Sequence, residues 1–484
     1  MVQTLPKEVI AACFLLEEAG FEAYLVGGAV RDLFLKRPVD DWDFTTNAHP
    51  EEIQKLFPEH FYENTFGTVG VTVEHLFQQL QAEVLDLSET RRAEVLEITT
   101  FRSESAYSDH RRPDAVEWGQ TLQEDLQRRD FTINALALRL VSTSENRQAF
   151  LSDFANQPAS LEHELEFLDP FSGWQDLQNR SIRCVGDPHV RFEEDALRML
   201  RAIRLASQLE FQIDQETLVA IQSHADLIQF VSWERIRDEF LKILVTNQVE
   251  TAMIVLYSTG LLRHLLPELL AAKNVEQRGH HEYDVWTHSI RACQLCPSND
   301  PVVKFAALLH DIAKPETQAE LSDQPGEYSF HNHEVIGARV ARNIARRFRL
   351  PKDDIQRVFT LVRWHMFYYQ PTMTDAAIRR FMRKVEIENL DDIMALREGD
   401  RLGSGSKRTS WRLEEIKQRI HDQLHQPMKV TDLAIDGTDV METLNISPSR
   451  QVGDILNALF EEVLEDPEKN TREYLLERVK GKNG

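Results

Sequence analysis

The chain has 484 residues, 42% hydrophobic and 28% charged, with a formal net charge of -24 at pH 7. That length exceeds what one core serves, and the composition excludes a disordered chain, while no apolar run approaches the ~20 residues of a membrane span. The acidic, amphipathic start MVQTLPKEVIAACFLLEEAG is unlike a targeting peptide, and four cysteines exclude a disulfide scaffold and point to a reducing, cytoplasmic setting. The acidic balance argues against promiscuous nucleic-acid binding but not against one basic cleft.

Taken in chain order, AYLV reads as a short buried strand, broken by Gly27 and Gly28 where a side chain would block close approach, and AVRDLFL as a helix start. DDWDFTT follows as a second strand, whose alternation sets Asp41 and Asp43 on one face. Paired carboxylates beside a glycine turn suit a divalent metal and a triphosphate. GTVGVTV, EVLEITTFR and FTINALAL continue the strands, with Arg128, Arg129 and Asp130 just before the last; arginines there suit phosphate and an aspartate a ribose hydroxyl. STSENRQAFLSDFANQPASLEHELEF shows no strand pattern and reads as a partly helical insertion.

From Asp169 the pattern is helical. In RFEEDALRMLRAIRLA, helical spacing sets Asp195 beside Arg198, with Arg201 and Arg204 following at intervals of three. As a surface ion pair, Asp195 with Arg198 is worth only a few tenths of a kcal/mol. As a base reader it has a sharper meaning. A carboxylate accepts and a guanidinium donates, which fits the amine and ring-nitrogen edges of cytosine and adenine and rejects uracil and guanine. Arg204 reaches such a site at its edge or binds phosphate. Histidines then crowd between His280 and His365, where Cys293 and Cys296 form a C-x-x-C without a second pair. The basic clusters RRFRLPK, GSKRTSWR and VKGKNG read singly as solvated helix ends.

The ordered set GGAVRD, DWD, TTFRSESAYSDHRRPDAV, RRDFTINA and EEDALRMLRAIR resembles the bacterial tRNA nucleotidyltransferases, the CCA-adding enzymes of the polymerase-beta-like superfamily. The likeness spans the first 230 residues or so and returns in the tail LAIDGTDVMETLNISPSRQVGDILNALFEEVLEDPEKN, though the family's glycine-rich turn is NISPSRQVG here. It implies template-independent addition of CMP and AMP, from CTP and ATP, to the 3′ end of tRNA. Gly28 and Arg31 would lie at the nucleotide, Asp41 and Asp43 at Mg2+, Arg129 and Asp130 at phosphate and ribose. Asp195 and Arg198 would read the base, with Arg201 and Arg204 also contacting nucleotide. Glu97 is the candidate third carboxylate, against a structural ion-paired role. The stretch from Arg102 to Val116 is the candidate loop for the change from C to A addition.

WTHSIRA, ALLHDIAKP, HNHEVIG, RWHMF and GDRLGSG resemble an HD domain, a helical metal-dependent phosphohydrolase fold. His288, His310, Asp311 and Asp400 match its ligand pattern, with His333 and His365 available to a second ion. Such ligands suit Mn, Ni, Fe or Mg better than structural zinc. The expected fold is α+β: a nucleotidyltransferase head with a small mixed sheet (1–142), an insertion (143–168), a helical neck and body (169–272), an HD domain (273–406) and a helical tRNA-binding tail (407–484). Competing functions are an A-adding enzyme, a poly(A) polymerase, or an HD phosphohydrolase with a non-catalytic RNA-binding head. The sequence assigns no oligomeric state.

Overall fold

The computed structural model describes residues 1–39, 41–63, 67–82, 95–103, 118–277, 282–321 and 328–481. The chain divides into two compact units, Met1–Glu239 with Ile254–His264, and Phe240–Met253 with Leu265–Gly484.

The first unit is built on an eight-stranded mixed sheet. In chain order the strands are β1 (Val2–Pro6), β2 (Ala23–Val26), β3 (Trp42–Thr46), β4 (Phe61–Glu63), β5 (Thr68–Thr72), β6 (Val95–Thr100), β7 (Ala137–Leu140) and β8 (Ser160–Leu168). Their spatial order is β1-β8-β7-β2-β3-β6-β5-β4, with β3 and β6 parallel and the other neighbours antiparallel. β2 is a short apolar run buried along its whole length, and β3 buries every residue but the half-buried Asp43, so the two take the centre of the sheet.

The stretch 143–168 corrects the sequence reading. It opens with the expected helix, Ser144–Ser152, but ends in β8, which joins β1 to β7 inside the sheet. SLEHELEFL does alternate, with Glu162, Glu164 and Glu166 opposite Leu161, Leu165 and Phe167. Its glutamates, poor strand formers, hide the period-two pattern.

Beyond the sheet the first unit is helical apart from the short parallel pair Ser181–Ile182 with Gln212–Ile213, and its helices Pro188–Glu194 and Leu197–Leu209 follow each other across a break at Asp195 and Ala196. The second unit is all helical apart from one two-stranded ribbon among its described residues. Its helices Val285–Leu295 and Leu390–Gly403 meet unusually closely. A Cβ at Gly399 would stand 2.6 Å from the Ala292 carbonyl oxygen, and one at Gly403 2.7 Å from the Ala292 nitrogen. Cys293 and Cys296 are both buried, and burial pushes both thiols up. Lys304 Nζ donates to the carbonyls of Cys293, Gln294 and Cys296 at 2.9, 3.0 and 2.7 Å, so this C-x-x-C is a capped helix end. The tail has its own core, from Leu433 and Ile435 through Phe460 to Val479. No described helix is long and apolar enough to cross a membrane.

Candidate functional site

The head site forms where β2 ends. Gly27 has φ of 74° and turns the chain from β2 into the helix Gly28–Phe34. A Cβ there would lie 2.9 Å from Arg129 Nη1 and 3.0 Å from Asp43 Oδ2, so only glycine admits both groups. Strand register does the rest. Val26 faces Asp43 across the β2–β3 pair, and Asp43 faces Glu97 across β3–β6. Two carboxylates thus meet on neighbouring strands, with Asp41 two residues before Asp43. Asp43 is half-buried, and burial raises its carboxyl above the usual range; Arg129 opposes this, Asp41 adds to it, and Arg31 opposes it. A carboxyl held up by burial and a like charge fits a divalent cation.

The surrounding cations are held from behind by residues that sequence reasoning missed. Arg31 is buried and grips Asp32 with two donors, Nε at 3.0 Å and Nη2 at 2.7 Å, while Nη1 donates to Asn134 Oδ1 at 2.8 Å. Asn134 also donates to Asp130 Oδ1 at 3.3 Å, linking the GGAVRD and RRDFTINA motifs. Asp125, fully buried, receives Arg128 Nη2 at 2.7 Å and Arg129 Nη2 at 3.3 Å. Burial raises the Asp125 carboxyl, but the two guanidiniums carry it below the ordinary range. A D-x-x-R-R spacing on a helix was the available signal.

Asp130 is buried and pairs with Arg201 Nη2 at 2.9 Å; burial raises it, and Arg201 and then Arg198 bring it below the usual range. Gly28, Arg31, Asp43, Arg129, Asp130, Arg198 and Arg201 therefore gather around one end of the sheet. Arg204 turns elsewhere, with Nε on Glu239 at 2.5 Å and Nη1 on Gln208 at 2.9 Å.

The expected base-reading pair is arranged differently from its prediction. Asp195 is not within a helix; it sits at the break, with extended backbone, and its carboxylate takes Arg235 Nη2 at 2.6 Å and the Leu197 N–H at 3.1 Å. Arg198 is buried and donates to Glu194 Oε2 at 2.5 Å, to the Arg191 carbonyl at 3.0 Å and to the Arg128 carbonyl at 3.1 Å. Helical spacing alone gave no sight of Arg235 or Glu194. In the stretch from Arg102 to Val116, residues 104–116 lie outside the described residues.

The second unit holds a tighter cluster. His288, His310, Asp311, His333, His365 and Asp400 are all buried. His288 Nε2 lies 3.0 Å from His310 Nε2, 3.3 Å from Asp311 Oδ2 and 3.2 Å from Asp400 Oδ1. Asp311 Oδ1 lies 3.3 Å from His333 Nε2 and 3.6 Å from His365 Nε2. His310, His333 and His365 each place Nδ1 2.7 Å from the carbonyl three residues earlier, at Ala307, Phe330 and Val362. With Nδ1 donating there, each Nε2 lone pair points inward, the tautomer a metal requires. His288, His310 and Asp400, and His310, Asp311 and His365, form two ligand groups able to hold an ion. Burial lowers His288, but Asp311 and Asp400 outweigh it and raise the group to about 9. Two residues not foreseen complete the centre: Lys314 Nζ is 2.6 Å from Asp311 Oδ2, and Arg397 Nη1 is 2.5 Å from Asp400 Oδ2.

A carboxylate pair on parallel neighbours in a mixed sheet, with arginines behind it, defines a nucleotidyltransferase head, and the buried His/Asp cluster defines an HD-type site able to hold a metal ion. Comparison with known proteins agrees. Residues 23–183 match the poly A polymerase head domain, 210–273 the probable RNA and SrmB-binding site of polymerase A, and 278–402 the HD domain. CCA-adding enzymes of Enterococcus faecalis and Ligilactobacillus salivarius are 32% and 30% identical over 99% of this chain and 97% and 98% of their own lengths. The chain belongs to the family of CCA-adding enzymes. Its fold is that of the crystal structure of the Bacillus stearothermophilus CCA-adding enzyme in complex with CTP, with a TM-score of 0.67 at 24% identity, covering 99% and 97% of the two chains. The Thermotoga maritima CCA-adding enzyme complexed with tRNA_CCA aligns over 99% and 95% with a TM-score of 0.52 at 18% identity.

Proposed function

We propose that the chain adds CMP and AMP, from CTP and ATP, to the 3′ end of tRNA without a nucleic-acid template, releasing pyrophosphate in the cytoplasm. The observation that carries the mechanism is Asp43 facing Glu97 in register under Arg129, in a chain similar to CCA-adding enzymes over nearly its whole length. Asp41 and Asp43, with Glu97 beside them, would hold Mg2+, which when bound favours ionisation of the primer hydroxyl and offsets charge on the leaving pyrophosphate. Arg31 and Arg129 hold the triphosphate, with Gly27 and Gly28 giving it room. Asp130, freed from Arg201 by the nucleotide, takes the ribose. Asp195 and Arg198 exchange Arg235 and Glu194 for the base edge, and Arg201 meets the nucleotide as Asp130 releases it, whereas Arg204 would have to leave Glu239 to reach phosphate. The arginines are preorganised by Asp32, Asp125 and Asn134, so little order is lost on binding.

The HD cluster favours a second, metal-dependent phosphohydrolase function. His288, His310, Asp311 and Asp400 would hold a transition metal such as Mn, Ni or Fe, and His333 and His365 a second ion. The inward-facing imidazole nitrogens support this, whereas an emptied scaffold would have no need of three histidines tied at Nδ1.

The deciding experiment offers a tRNA ending at its discriminator base with CTP alone, ATP alone, or both. We expect two C residues from CTP and a final A only when both are present. Absence of C incorporation would instead identify an A-adding enzyme or a poly(A) polymerase.

A further inference from the structure

Among the described residues, Tyr368 and Trp411 are the two most exposed of the large hydrophobic side chains, at 69% and 61%. They are not scattered. Both line one cavity of about 340 Å³ with Phe367, Tyr369, Arg401 and Arg412. Trp411 opens the helix Trp411–Gln423, and the Arg412 guanidinium lies 5.2 Å from its ring centre. A tryptophan kept for packing would not stand so far open in water.

This groove adjoins the HD centre through shared walls. Arg397 and Arg401 line both it and the cavity of about 500 Å³ that contains Asp311, Lys314, His333, His365 and Asp400. The two arginines lie about one helical turn apart on Leu390–Gly403, either side of Asp400 in sequence for Arg401 and Arg397. Arg401 is positioned by neutral groups: Nε donates to the Lys407 carbonyl at 3.1 Å and Nη2 reaches that of Thr409 at 3.5 Å. Its charge is held in place without being neutralised by them. Flat exposed rings at one end, arginines in the middle and a phosphate-handling metal centre at the other match the parts of a nucleotide in order.

We propose that the groove is a base-stacking subsite of the HD centre, taking a nucleoside monophosphate with its base on Trp411 and Tyr368 and its phosphate at Arg401 and Arg397. The proposal rests on the reading of the His/Asp cluster as a metal-dependent phosphohydrolase centre. It also gives the basic run GSKRTSWR a role beyond a solvated helix end. The nucleotide has two sources with one chemistry, a free nucleoside 3′-monophosphate or the 3′-phosphorylated end of an RNA.

The test titrates adenosine 3′-monophosphate, glycerol phosphate and inorganic phosphate into the metal-loaded full chain by calorimetry, with elemental analysis of the same samples. We expect the nucleotide to bind about tenfold or more tightly than glycerol phosphate. Trp411→Ala and Tyr368→Ala should each lose about five- to tenfold for the nucleotide and nothing for inorganic phosphate, whereas Trp411→Phe should keep the preference. Arg401→Ala should weaken all three ligands. A hexanucleotide ending in a 3′-phosphate that binds as tightly as the mononucleotide assigns the groove to an RNA end; binding tenfold weaker assigns it to the free nucleotide. Equal affinity for nucleotide and glycerol phosphate in a protein that holds its metal overturns the subsite alone. Protein that takes up no metal overturns the HD reading and the subsite with it.

Discussion

Asp43 is held in a position that disfavours its charged form. Burial and the neighbouring Asp41 charge act against its ionisation, and Arg129 and Arg31 oppose them. Neutralising it should therefore leave the fold intact while removing a carboxylate proposed to hold metal. We expect Asp43→Asn, and likewise Asp41→Asn, to abolish CTP incorporation with a melting temperature equal to or above that of the wild type. Near-normal turnover of either variant in magnesium would refute the assignment. At this scale the sequence was most readable in which motifs meet: the glycine turn, Asp41, Asp43 and Arg129 do come to one place. It was least readable where a partner comes from far along the chain. Asp195 and Arg198 were read as side-by-side partners on one helix, but Arg235, the actual partner of Asp195, lies 40 residues away, and no local period announces such a contact. The same holds for Asn134, which bridges Asp130 to Arg31, 103 residues away.

Among elements, the helix Leu122–Gln127 acts as an anchor for the arginines that follow it. Because Arg128 and Arg129 hold Asp125 below the ordinary carboxylate range, its folded pKa lies below its unfolded value of about 3.9. The stability it contributes is present above that value and is lost as pH falls through the folded pKa. Asp125→Asn should thus cost about 3 kcal/mol at neutral pH, at the lower end for a broken buried pair because both arginines keep some exposure. The difference from wild type should shrink on acidification, as urea titrations at pH 7 and below pH 4 would show. Were the difference independent of pH, Asp125 would be acting through packing alone. A second element-level device is the glycine contact of Leu390–Gly403 with Val285–Leu295, which carries Asp400 to His288. Gly403→Leu inserts atoms where a Cβ already stands 2.7 Å from backbone, so the helices must part. Metal content measured by elemental analysis should fall although no ligand has changed. Full retention of metal would show that the ligands hold the helices, and not the reverse. The helical character of this unit was plain in the sequence, yet this close approach was not, since GDRLG reads equally well as a helix end.

For the whole chain, two centres of different chemistry stand in two separately packed units. Each has its own ligands and its own arginines, so loss of one should spare the other. We expect His310→Ala and Asp311→Ala to lose bound transition metal while CCA addition continues at a wild-type rate, and Asp43→Asn to show the converse. Parallel measurement of metal content and nucleotide incorporation in the three variants checks both arms. Equal metal content in wild type, His310→Ala and Asp311→Ala would leave the HD fold as scaffold only. The division into a mixed head and a helical remainder was legible from the switch of hydrophobic period near Asp169. The full size of the head sheet was not, because β8 carries polar residues at most positions and β1 is short, so that pairing along the chain's first 168 residues, not a local pattern, orders them.

That last pairing has a bearing on how the chain comes to be folded. Val2 finds its partner at Glu164 and Pro6 at Ser160, so β1, made before the other strands of its sheet, is among the last to be paired. During synthesis β1 must wait, its backbone donors and acceptors open to water or to another nascent chain, until β8 has emerged. Loop closure over that span is slow relative to the local helices. The head should therefore appear late and all at once, and a ribosome stalled before residue 160 should carry a chain that a protease can still strip of its N-terminal strand.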